Sequence, residues 1–118
     1  MQHWDLLSTP APAGTRDPVV LHSDDSARAV LVVLQPGQSL GDHQVKEHAW
    51  VTVVEGSIRV SGDGRQVELG PGGLVRFDPD ERHALSTDDG ARVLLLLAPW
   101  PGAGHYRGNP RPSTSQTS

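Results

Sequence analysis

Short apolar runs rich in β-branched residues, each stopped by a glycine or proline turn, constrain this chain more than any other feature. Ala27 to Gln35 ends at Pro36-Gly37, Trp50 to Val54 ends at Glu55-Gly56, and Leu74 to Phe77 follows Gly70-Pro71-Gly72-Gly73. Pro18 to His22 precedes Asp24-Asp25-Ser26. Ser57 to Ser61 and Gln66 to Leu69 flank Gly62-Asp63-Gly64, and His83 to Thr87 and Ala91 to Ala98 flank Asp88-Asp89-Gly90. Turns recur about every 8–12 residues, and Asp-Gly is a strong two-residue hairpin signal. No segment repeats its apolar residues with the 3.6-residue period of a helix. The pattern predicts an all-β chain of eight or nine short strands, folded as a small antiparallel β-barrel or sandwich. Closure into a barrel would remove the exposed strand edges that invite aggregation.

At 118 residues the chain is long enough for one modest core. The 13 glycines and 10 prolines are spread between the apolar runs rather than massed, which reads as turns and not as disorder. Residues 1–17 read as an irregular N-terminal arm and 18–107 as the barrel domain. Within that domain, Pro99-Trp100-Pro101 would dock its indole on the body. Residues 108–118 have nothing to bury and are expected to be disordered. The run Val93-Leu94-Leu95-Leu96-Leu97 is apolar on both faces. One face therefore needs a cover, from a second layer, the arm or another subunit, and a homodimer is expected.

Composition also removes several classes of function. The formal net charge is −4 and no Lys/Arg stripe is present, so nucleic acid is not an expected partner. Cysteine is absent, which excludes disulfides, zinc-thiolate sites and thiol nucleophiles, and agrees with a cytoplasmic location. Met1-Gln2-His3-Trp4-Asp5 has no basic stretch leading into an apolar one, so no signal peptide is expected. The longest apolar run, Val93 to Pro99, is too short to span a bilayer, and no membrane partner is expected.

Three of the six histidines fall in two segments that carry the candidate chemistry, Gly41 to Gly56 and Gly70 to His83. Residues two apart on a strand share a face. An unbroken strand from His43 would therefore put His43, Val45, Glu47, Ala49, Val51 and Val53 together, with His48, Trp50 and Thr52 opposite. His48 joins His43 only if a turn or bulge near Lys46 shifts that phase. His83 opens its own strand after the Asp78-Pro79-Asp80-Glu81-Arg82 turn. The other histidines, His3, His22 and His105, have no partners at ligand spacing and read as surface residues. Arg59, Arg76 and Arg92 read as outward and solvated, although an inward arginine could bind a ligand carboxylate through its fork, and Trp50 reads as an outer-sheet or interface anchor rather than a stacking platform for a ligand.

The order of Pro36-Gly37, a histidine, a strand ending Val54-Glu55-Gly56, then Gly70-Pro71-Gly72 and Phe77-Asp78-Pro79 to His83 resembles a small single-domain cupin over about residues 27–98. The resemblance implies a compact jelly-roll (double-stranded β-helix) barrel, often dimeric, with a site inside it. Anchored on Gly56, the family's first metal-binding histidine falls on His43, its second on Val45, its glutamate on Ala49, and its third histidine on His83. The glycine expected three residues before that last histidine is Asp80 here. Two of four family ligands are thus retained, and Glu47 or His48 would have to supply what is missing. His43, His83 and one carboxylate would suit non-haem iron or manganese, and His43/His48/His83 would suit zinc or nickel as well. The alternative is no metal at all.

Three functions remain open. The first is a module that binds a small molecule in the barrel, with His43, Val45, Ala49, Val51 and His83 lining the pocket. The second is a metal-dependent oxygenase or isomerase that uses His43, His83 and Glu47 or His48. The third is a structural dimer whose barrel is packed shut. Fold alone does not choose between them.

Overall fold

The structure is a computed structural model that describes residues 1–12, 18–43 and 45–101, with the side chains of residues 41–43 outside the description. Nine strands follow one another: β1 (Val19–Ser23), β2 (Arg28–Leu34), β3 (Ser39–His43), β4 (His48–Gly56), β5 (Ile58–Gly62), β6 (Arg65–Leu69), β7 (Leu74–Phe77), β8 (His83–Ser86) and β9 (Ala91–Ala98). They form a five-stranded sheet in the order β1-β2-β9-β4-β7 and a four-stranded sheet in the order β3-β8-β5-β6. Every pairing is antiparallel. Two antiparallel sheets that pack their inner faces together and exchange strands along the chain are the jelly-roll, or double-stranded β-helix, arrangement. Among the described residues no helix is long and apolar enough to cross a membrane.

Alternation builds the core. Val30, Val32 and Leu34 of β2, Ala49, Val51 and Val53 of β4, and Val93 and Leu97 of β9 point inward from one sheet. Ile58, Val60 and Leu85 meet them from the other. Each side chain fully buried in this way contributes about 1.5–3 kcal/mol. Trp100 packs against the same cluster, with the Arg28 guanidinium 4.0 Å from its ring centroid, so the indole docks on the body as its flanking prolines suggested. His105 and residues 108–118, expected to be a surface residue and a disordered tail, lie outside the described residues.

The outer face of the larger sheet needs the cover that the leucine run predicted. Leu31 points away from the core cluster and opposite Leu94, yet it has no exposed surface. The N-terminal arm lies against this side. Arg92 donates from Nε to the Leu6 carbonyl at 2.7 Å and from Nη2 to the Thr9 carbonyl. A turn from Asp5 to Thr9 shapes the arm. Cover is incomplete toward β7, where Leu74, Trp50 and Leu96 keep 56%, 37% and 36% of their surface exposed.

Two features depart from the strand pattern expected of the sequence. Residues 39–43 form a strand although Ser39, Gly41, Asp42 and His43 have no β-branched signal, because β8 supplies the ladder. The expected unbroken strand from His43 through Val53 is in fact two strands in different sheets, joined by residues 44–47. The two hairpin turns were better marked. Asp63 and Gly64 both take positive φ, 52° and 71°, as a type I′ turn requires. Between β1 and β2, Ser26 and then His22 hydrogen-bond the Asp24 carboxylate and hold it well below the usual carboxylate range.

Gly56 is the tightest point in the fold. Its φ is +80°, and a Cβ placed on it would lie 2.1 Å from the backbone oxygen of Gly90. Left-handed strain and backbone overlap would act together in Gly56→Ala. We predict a loss of roughly 2–5 kcal/mol, read as a lower urea midpoint. A midpoint equal to that of the parent chain would show that β4 and β9 do not approach this closely.

Candidate functional site

One end of the sandwich gathers the start of β8, the end of β7, the connection into β4 and the end of β3. His83 lies there with 4% of its surface exposed. Its ring stacks on Phe77 with centroids 3.9 Å apart and planes 7° from parallel. Phe77 is itself fixed opposite Ala49 in the β4–β7 ladder. The His83 Nδ1 lies 3.0 Å from the Glu81 carbonyl oxygen. A carbonyl only accepts, so Nδ1 carries the proton and Nε2 is the basic nitrogen of the neutral ring. Proteins orient ligand-binding histidines by this device.

The turn before His83 is tied down on both sides. Asp78 N–H donates to Glu81 Oε1 at 2.9 Å, and Glu81 N–H donates to the Asp78 carbonyl at 3.1 Å. Asp80 has φ +66°, the conformation that makes glycine the family's usual choice three residues before this histidine. Its N–H donates to the Val45 carbonyl at 2.7 Å, and Lys46 Nζ reaches Asp80 Oδ1 at 2.9 Å. These bonds lock the residue 45–47 connection against the 78–82 turn. Glu47, in that connection, has no exposed surface. A buried carboxyl group is expensive unless donors or a cation surround it, so its position in the site end is a chemical commitment.

The sequence-derived candidates divide accordingly. The β3–β8 register sets His43 directly opposite His83, and a bulge between Leu40 and His43 brings it there. The His43 side chain lies outside the description. His48 falls on the other side of β4 from buried Ala49. Its Nδ1 accepts from Arg76 Nη2 at 2.6 Å and lies 3.9 Å from Asp78 Oδ1. The bulge that would have turned His48 toward the site lies in β3 instead, so the structure does not join His48 to His83. Arg76 also lies over Trp50, 5.4 Å from the ring centroid, on this outer face. Ala49 and Val51 are each 1% exposed, and half-buried Val45 packs against the same core cluster.

A groove of about 500 Å³ borders His83 on the side of the β5–β6 hairpin, lined by Gly62, Arg65, Arg82 and His83 and also by Ser61, Gln66 and Ala84, which alternate to the other face of the sheet. Neither Arg65 nor Arg82 stood out in the sequence, because nothing local marks an arginine on a strand as facing a groove. The register supplies the missing signal: Gly62 pairs with Arg65 on one side and His83 on the other. The arginines that did stand out are engaged elsewhere. Arg59 meets Asp88 at 2.8 Å and Glu68 at 3.3 Å, which raises its already high pKa, and Arg92 holds the arm.

A two-sheet jelly roll with an oriented histidine at one end defines a class of small β-helix proteins. The chain belongs to the cupin family: the cupin domain matches residues 30–98, more than half its length. Solved structures agree on the fold. An uncharacterised conserved protein with a double-stranded β-helix domain from Klebsiella pneumoniae superposes with a TM-score of 0.75 at 17% identity, covering 87% of this chain and 94% of that one. A cupin superfamily protein from Desulfitobacterium hafniense gives 0.72 at 14% identity, covering 79% and 85%. The DMSP lyase DddQ from Ruegeria pomeroyi gives 0.61 at 26% identity, over 64% of this chain and 39% of the lyase. No curated protein matches.

The left-handed turn at Asp80 makes a prediction about the site's frame. Asp80→Gly exchanges backbone relief for a lost surface ion pair and should fall within about 1 kcal/mol of the parent. Asp80→Val puts a β-branched side chain at positive φ and should lose about 2 kcal/mol or more. Equal thermal midpoints for the two variants would contradict the turn geometry.

Proposed function

We propose that the chain is a small-molecule-binding cupin whose site is the His83 end of the sandwich. The observation that carries this reading is the fixed ring of His83. It is buried, stacked on Phe77 and held through Nδ1, and the groove beside it has the volume of a small organic ligand. In that site Nε2 would accept a hydrogen bond or receive a proton, and Phe77 would keep the ring from turning away. The exposed strip of Trp50, Leu74 and Leu96 supports a homodimer through the outer face of the larger sheet. A cytoplasmic location belongs to the same reading.

Cupins often bind a divalent metal, and the donors on this chain bear on that possibility. Among the described residues no three His, Asp or Glu side chains gather around one point. His48 is engaged with Arg76, and His83 and Glu47 are the buried donors described at this end. This set does not by itself complete a metal centre, and no step through a metal is assigned. The observation that favours a metal is Glu47, a carboxyl group buried at the end of the sandwich that holds His83. An oxygenase or isomerase would need His43 to complete that set.

Two measurements on untagged, chelator-free protein separate these readings. Fragment screening by thermal shift should find binders whose stabilisation disappears in His83→Ala, with metal content well below stoichiometric. Near-stoichiometric Fe, Mn, Ni or Zn lost in both His43→Ala and His83→Ala would replace this reading with the metal enzyme. Absence of any His83-dependent binder in a metal-poor protein would favour the closed structural barrel.

A further inference from the structure

We infer that the groove beside His83 is selective for small molecules carrying a carboxylate, with Arg65 as the anchor; the inference rests on the binding reading above. The β6-β5-β8 part of the smaller sheet sets Arg65, Gly62 and His83 in one row across three strands. Residues directly opposite one another in an antiparallel sheet share a face. Ile58 and Val60 point inward from β5, so the alternation gives Gly62, two residues on, the inner face that His83 also takes. The middle member of the row has no side chain. A Cβ on Gly62 would lie 3.2 Å from the Arg82 carbonyl oxygen and 3.6 Å from the His83 Cβ, so glycine keeps the floor between arginine and histidine low.

Arg65 is exposed on edge strand β6 and makes no ion pair with the described residues. The contrast with Arg59, Arg76 and Arg92 is chemical: those three guanidiniums are satisfied by Asp88, by Asp78 and by arm carbonyls respectively. A planar guanidinium at a groove wall recognises a planar oxyanion through paired hydrogen bonds. One guanidinium without an ion pair among the described residues, Arg65, on a chain of formal net charge −4, suits a monocarboxylate better than a phosphate dianion. A ligand held in this way would direct the rest of its body along Gly62 toward His83.

The test is a titration of the ¹⁵N-labelled full chain with acetate, benzoate, neutral benzamide and inorganic phosphate, with Arg65→Gln and Arg82→Gln alongside. Benzoate and acetate should shift the Gly62 and Gly64 amides saturably, and benzamide should not. Arg65→Gln, with an unchanged melting temperature, should weaken benzoate by about tenfold or more, the size expected for one charge-assisted contact. Equal shifts from benzoate and benzamide, benzoate binding unaffected by Arg65→Gln, or a stronger response to phosphate would each overturn the inference. Equal benzoate and benzamide shifts that vanish in His83→Ala would leave the binding site standing and remove only its charge selectivity. No response from any probe at Gly62 or at His83 would count against both.

Discussion

The antiparallel pairing of β4 with β9 is the constraint on which the rest of this fold depends. It joins the two longest strands of the larger sheet, from His48 opposite Ala98 to Gly56 opposite Ala91. Side chains alternate with a period of two, so this register commits Ala49, Val51 and Val53 to the core. It thereby commits His48 and Trp50 to the outer face. A slip of one residue would bring His48 inside and push three core side chains into water. The choice of which histidines serve the site is therefore made by core packing and not by the site itself.

A second layer of constraint acts at the end of the sandwich. The chain leaves the smaller sheet at His43 and enters the larger at His48, and the few residues between them carry the buried Glu47. The 78–82 turn clamps this crossover through Asp80, Val45 and Lys46, and then delivers His83 onto Phe77. The Val45 carbonyl of the crossover accepts from the Asp80 N–H of that turn, as a half-buried loop carbonyl requires. The candidate site residues thus sit on a frame of hydrogen bonds that also closes the fold.

Much of the architecture was legible because its signals are local. Asp63-Gly64 marks a hairpin, Glu55-Gly56 the end of a strand, and the Val/Leu runs mark core strands; all three follow from conformational preference or periodicity. The leucines of β9 were read as two-faced, and the arm does cover part of the outer side through Arg92. What was hidden depends on pairing between distant segments. β3 has no strand propensity of its own and exists because β8 pairs with it. The continuous strand assumed from His43 put Glu47 on the face of Ala49, and Glu47 is buried as Ala49 is, although that strand breaks and changes sheets. Arg65 and Arg82 meet the groove only through the Gly62 row, which no local motif records.

The account turns on one ring held in one orientation. Long-range ¹H–¹⁵N correlation spectra of the untagged full chain near neutral pH report which imidazole nitrogen bears the proton, and His83→Gln assigns the signal. The account predicts a protonated Nδ1 for His83, because the Glu81 carbonyl accepts from it. A His83 ring protonated at Nε2 alone would contradict it.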